Sequence, residues 1–166
     1  AMTGADLMAQ PLTAAAFAPY GDVLEVAGAP DRMINAGLCG RFHDRARLEF
    51  LDGRAGISLF DAEARHLPYA LDLMERHPLG SQAFIPLDNV PMLICVAEDT
   101  HGRPTTPRAF LSQPGQGVNL LRNVWHGVLA PLGRAGRYAV IDRIGPGDNL
   151  EEYHFDQPLT VEGPQP

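Results

Sequence analysis

The chain has 166 residues, enough for one domain with a substantial core and too few for two ordinary ones. With 45% hydrophobic and 20% charged residues it reads as globular, and a net charge of −7 argues against a nucleic-acid partner, which would need clustered Lys and Arg. A small anionic substrate stays compatible with that charge, because a few arginines in one pocket reverse the local field.

Seventeen Gly and 15 Pro spread along the chain predict many short elements joined by turns, which favours strands over a helix bundle. Pro11–Ala18 predicts a short helix with Thr13 as its N-cap, stopped by Pro19-Tyr20-Gly21. Strands are expected at Val23–Val26, Ala46–Leu51 and Ile57–Phe60, with the polar, glycine-bearing run INAGLCGRFHD (34–44) unfit for a core strand. Pro91–Ala97 (PMLICVA) is the most hydrophobic segment and predicts a strand buried on nearly both faces. After a polar loop over Glu98–Arg108, strands are expected at Ala109–Leu111, Val118–Leu121, Val124–Leu129 and Arg137–Arg143. A weak strand at Glu152–Phe155 then leads into a Pro-rich tail, and residues 1–10 and 157–166 are expected to fray. Such a chain of short strands makes an all-β sandwich or barrel, a single domain over 1–166. Cys39 and Cys95 are far apart, and Cys95 lies in the apolar run as a small buried hydrophobe. With no secretory leader and no long apolar span, the expected compartment is the cytoplasm, with no membrane partner.

Chemistry concentrates in Tyr69–Leu87, YALDLMERHPLGSQAFIPL. Strand alternation puts Tyr69, Leu71, Leu73, Glu75 and His77 on one face, so an apolar face ends in a carboxylate and an imidazole. Pro78 and Gly80 break the strand and Gln82 opens the next. Farther on, Val124, His126 and Val128 share a strand face. Small barrels of the cupin type carry His-x-His-x4-Glu on one hairpin and a further His later. Here Glu75 stands at the first position, His77 at the second, Gln82 at the Glu and His126 at the last. These four groups are candidates to hold a divalent first-row metal, or to form a metal-free polar cluster that binds substrate by hydrogen bonds.

The stretches MERHPLGSQAFIP (74–86), RAFLSQPGQGVNLLRNVWH (108–126), IDR (141–143) and INAGLCGRFHD (34–44) resemble the ureidoglycolate lyase family of purine degradation, over roughly Pro11–Asp148. The resemblance implies a cupin-like β-barrel (a jelly roll of two antiparallel sheets with one or two short helices) and a homodimer. It further implies cleavage of (S)-ureidoglycolate to glyoxylate and urea, with nickel or a similar divalent ion associated with some members. The alternatives are a hydrolase releasing ammonia and carbon dioxide from the same substrate, and a non-catalytic cupin that binds a small carboxylate. The reaction needs a base for the hydroxyl proton and an acid for the departing nitrogen, roles open to His77, His126 and Glu75. An arginine fork suits the substrate carboxylate, with Arg122 first and then Arg41 and Arg143. Asn35 and Asn119 are candidates for the ureido group beside Gln82, and Asp142 is placed to orient a pocket histidine.

Overall fold

The computed structural model describes residues 5–164, so the expected fraying at 1–4 and 165–166 lies outside the described residues. The structure is nearly all β and barrel-like, as expected. The one α-helix among the described residues is Ala14–Phe17, and the Thr13 hydroxyl caps it by accepting from the Ala16 amide at 3.2 Å.

Two sheets carry the architecture. The five-stranded sheet runs Gly21–Leu24, Gly117–Leu120, Gln82–Pro86, Gly136–Ile144, Arg54–Ala62 in spatial order, all antiparallel. The eight-stranded sheet runs Leu7–Met8, Glu151–Glu162, Tyr69–Arg76, Trp125–His126, Met92–Ala97, Arg108–Leu111, Gln10–Pro11, with Ala130–Pro131 also paired to Met92–Ala97. Leu7–Met8 pairs with one edge and Gln10–Pro11 with the other, so five consecutive residues nearly close the sheet on itself and cap its edges.

Met92–Ala97 explains why there are two apolar clusters. Its even residues Met92, Ile94 and Val96 join Phe84, Phe110, Val118, Leu120 and Val140 between the sheets. Its odd residues Leu93, Cys95 and Ala97 join Leu71, Met74, Trp125 and Val161 on the other face. All six residues of this strand are buried, as its sequence predicts. No helix among the described residues is long and apolar enough to cross a membrane.

Several expectations fail for physical reasons. Residues 7–10 are not frayed, because Leu7–Met8 and Gln10–Pro11 pair with the two edges of the sheet. Of Val124–Leu129 only Trp125–His126 is strand, with a left-handed turn at Asn123 just before it. Residues 157–162 are not frayed: Glu151–Glu162 is a twelve-residue strand paired with Tyr69–Arg76, and Val161 is fully buried. Its paired edge outweighs the Pro and charge content that suggested disorder. Ala46–Leu51 forms no strand, since its backbone is tied by single bonds to 79–81 and its carboxylate and arginine neighbours instead. The alternation of Tyr69–His77 is not kept either. Tyr69, Leu71 and Met74 all enter one cluster, while the opposite strand shifts register between His154 and Leu159.

Phe110 is completely buried between helix and sheets, so Phe110→Ala is expected to lower unfolding free energy by about 3–5 kcal/mol in denaturant titrations. Leu38→Ala, on the exposed hairpin, is expected to change it by no more than about 0.5 kcal/mol.

Candidate active site

The strand Tyr69–Arg76 runs into His77 and then Pro78, which has no N–H to offer a ladder. The carbonyl of His77 accepts instead from the amide of Asn123 at 3.1 Å. Asn123 is left-handed (φ 68°), a conformation that asparagine tolerates, and it turns the chain into the two-residue strand Trp125–His126. There His126 stands opposite Glu75 on one side and Val96 on the other. Glu75, His77 and His126 converge: one ligand-type atom from each lies within 4.8 Å of the other two. The two imidazole centroids are 5.1 Å apart, tilted by 40°.

Hydrogen bonding settles which nitrogens face the cluster. His77 Nδ1 is 2.8 Å from the Asn149 carbonyl oxygen, and His126 Nδ1 is 3.0 Å from that of Gly127. A carbonyl can only accept, so each Nδ1 carries a proton and each Nε2 of a neutral ring presents a lone pair. Both Nε2 atoms are buried without a hydrogen-bond partner. Two imine nitrogens and a carboxylate therefore face one another, an arrangement that calls for a proton or a cation among them.

Burial, with a smaller push from His77, brings the pKa of His126 down to about 3. The ring is neutral near pH 7 and supplies a lone pair there, not a proton. Burial also raises the carboxyl of Glu75 above its usual range; His77 opposes that shift and Glu152, directly across the next strand, adds to it. Glu75 is thereby biased toward holding a proton.

Gln82 belongs to the other sheet, in register with Leu120 and Asp142. Its side-chain nitrogen donates to Asp142 at 3.2 Å and its amide oxygen is buried without a partner. Asp142 thus orients Gln82 and makes no hydrogen bond to a histidine among the described residues. The space beside His126 is lined by Phe84, Ile94, Val118, Leu120 and Leu129 and gives a water centre about 20 Å³, room for about one water. That space is too small for a substrate, so the core side of His126 is closed.

The remaining candidates are dispersed. Arg122 donates to Glu49 and, at 3.0 Å, to the carbonyl of Pro78, next to His77. Arg143 is buried with its guanidinium spent on the carbonyls of Leu51, Asp52 and Pro146. Asn119 lies on the far face of its sheet from Leu120 and donates to Asp22 and the Arg47 carbonyl. Asn35 and Arg41 sit on an exposed hairpin, Arg32–Ile34 with Cys39–Arg41, where Asn35 is left-handed (φ 55°) in the turn. Trp125 packs away from the cluster, under Arg76. Asn149 was missed: in the loop GPGDN an asparagine looks like any turn residue, and its contact with His77 spans 72 positions.

A family model described as ureidoglycolate lyase matches residues 5–162. The chain belongs to the ureidoglycolate lyase family. It is 71% identical to a ureidoglycolate lyase of Rhodobacter capsulatus, over 95% of this chain and 98% of that one. It is 50% identical to ureidoglycolate lyase 2 of Rhizobium meliloti (92% and 95% covered) and 47% identical to a ureidoglycolate lyase of Chelativorans sp. (96% and 98%). Among solved structures, a dTDP sugar isomerase from Desulfovibrio desulfuricans superposes with a TM-score of 0.50 at 15% identity, covering 82% of this chain and 84% of that one. That likeness is one of fold alone and carries no activity with it.

A neutral buried histidine makes stability depend on pH. His126 binds a proton near 6.5 when unfolded and near 3 when folded, so its contribution is complete above about 6.5 and is lost as pH falls toward about 3. Denaturant unfolding free energy is expected to drop between pH 7.5 and 4.5, and to drop less in His126→Gln.

Proposed function

We propose that this chain is an enzyme that cleaves the C–N bond of (S)-ureidoglycolate, releasing glyoxylate and urea. The observation that carries the reading is the convergence of Glu75, His77 and His126 in a chain of this family. Ureidoglycolate bears a hydroxyl, a carboxylate and a ureido nitrogen on one carbon. The hydroxyl loses its proton, its electron pair forms the aldehyde carbonyl, and the C–N bond breaks as the departing urea nitrogen gains a proton. His77 Nε2, bare and fixed by the bond at Nδ1, is the base for the hydroxyl. Glu75, biased toward its protonated form, returns a proton to the nitrogen. His126, held neutral, accepts a hydrogen bond from the substrate through Nε2. Gln82, oriented by Asp142, offers its free amide oxygen to the ureido N–H groups.

Arg122 is the cation proposed for the carboxylate. Its side chain is 37% exposed, and its partner Glu49 is a surface carboxylate that the substrate's own carboxylate can replace. Asn35, Asn119, Arg41 and Arg143 carry less of this reading, since their side chains are exposed on a hairpin or engaged elsewhere. The same three lone pairs of Glu75, His77 and His126 also fit a divalent ion such as nickel, with Gln82 as a possible fourth donor. When bound, such an ion supplies Lewis acidity toward the hydroxyl and carboxylate.

With purified protein, urea and glyoxylate are expected in equal amounts without ammonia, and His77→Ala is expected to lower kcat by about 10²–10⁴-fold with the fold intact by circular dichroism. Ammonia in place of urea would move the assignment to a hydrolase. Activity that is lost to a chelator and restored by nickel would show that the reaction needs the ion, and loss of nickel binding in His126→Ala would assign it to the cluster.

The partner proposed is a second copy, in the cytoplasm. On the outer face of the five-stranded sheet, Ile57 and Leu59 are 73% and 76% exposed, with Ile141 and Ala139 beside them in register, Ile85 on the next strand and the exposed Leu87 just past that strand's end. A contiguous apolar sheet face of this kind marks an association surface, and Arg54–Ala62 is also an open edge. Light scattering is expected to give twice the chain mass for the natural sequence and one chain mass for Ile57→Asp/Leu59→Asp.

A further inference from the structure

We infer that Asn149 is a positioning residue that sets both the place and the tautomer of His77. The inference rests on Glu75, His77 and His126 being the site, and one arm of its test reads no activity.

His77 lies where its own strand cannot hold it. The regular ladder of Tyr69–Arg76 ends one residue earlier, and Pro78 follows with no N–H. Asn149 grips the chain on both sides of that proline. Its carbonyl oxygen accepts from His77 Nδ1 at 2.8 Å, and its side-chain oxygen accepts from the amide of Leu79 at 2.7 Å. The first bond keeps the proton on Nδ1 and leaves Nε2 bare toward the cluster. The second fixes the distance between the loop and the His-Pro-Leu segment, so that the first bond can form.

Asn149 is itself anchored at both ends. On one side, Gly147 turns the loop in the left-handed region (φ 88°) and the buried guanidinium of Arg143 holds the carbonyl of Pro146. On the other, the strand opens two residues later with Glu151 opposite Arg76 and Glu152 opposite Glu75. The loop therefore carries the registry of the Glu75 strand to the ring of His77. An amide or carboxylate oxygen at position 149 can reach the Leu79 amide; a methyl group cannot. Partners that orient a histidine through its second nitrogen typically matter about 10–100-fold to activity or metal affinity.

The test uses the full chain with 15N-labelled histidine and long-range proton–nitrogen spectra, His77 being assigned by its loss in His77→Gln. The natural protein is expected to show His77 in the Nδ1–H form. Asn149→Ala is expected to show His77 averaging between tautomers and to lose about 10–100-fold in kcat with KM little changed. Asn149→Asp, which keeps the accepting oxygen, is expected to restore the Nδ1–H form. Should Asn149→Ala fail to fold, Asn149→Ser, which draws the oxygen back from Leu79, is expected to show the same averaging. An unchanged Nδ1–H signature in Asn149→Ala or Asn149→Ser would overturn the inference, as would an Asp variant that averages like the Ala one. If the natural protein turned over no ureidoglycolate, the proposed function would fail while the spectra still decided the role of Asn149.

Discussion

A strand of two residues, Trp125–His126, is the constraint from which the site follows. It is wedged between Tyr69–Arg76 and Met92–Ala97 and is too short to hold its own orientation by ladder bonds. The orientation comes from the side chains. The Trp125 indole N–H donates to Asp99 at 2.9 Å, and the Arg76 guanidinium lies 4.6 Å from the ring centroid while pairing with Asp99 and Glu151. With tryptophan latched on one face, alternation delivers His126 to the other, beside Glu75. The same hydrogen bond from Trp125 leads the influences that hold the Asp99 carboxyl below its usual range, so the latch stays charged.

The residues of the proposed site straddle a seam. Glu75, His77 and His126 belong to the eight-stranded sheet, Gln82 and Asp142 to the five-stranded one. The loop after Ile144 passes from the five-stranded sheet to the eight-stranded one, and Arg143 ties it to the turn at Leu51–Asp52 by donating to the carbonyls of Pro146, Leu51 and Asp52. Arginine suits that task because its planar fork serves several acceptors without being deprotonated. A residue that sequence offered as a grip for substrate is a grip for backbone.

Much of the fold was legible because burial in strands leaves a local trace. The apolar run Met92–Ala97, the alternation of Gly136–Ile144 and the Thr13 cap are each properties of a few adjacent residues. The convergence of Glu75, His77 and His126 was legible for a related reason, since ionisable groups within and just after an apolar strand stand out, although the face predicted for Glu75 and His77 was not kept. What stayed hidden depends on pairs distant in the chain. The strand Glu151–Glu162 looks polar and Pro-bearing, and it is pairing with Tyr69–Arg76, and at its end with Leu7–Met8, that makes it a strand. Asn119 and Arg143 have the right chemistry for substrate, and their engagement with Asp22 and with loop carbonyls is not written in their neighbours. Asn149 acts through a main-chain oxygen, an atom every residue possesses, so no residue type could announce it.

The near-closure of the eight-stranded sheet fixes when during its synthesis the molecule can exist. Leu7 pairs with Val161 and Met8 with Glu162, the first described strand lying parallel to the last. On a ribosome the two partners are made 154 positions apart (161 − 7), seconds of elongation at about 5–20 residues per second. Until the second is made, the residues around Leu71 and Met74 lack the wall that Val161 completes. The apolar sheet therefore stays unclosed until that last strand has been made, and its closure is among the longest-range contacts the described chain forms.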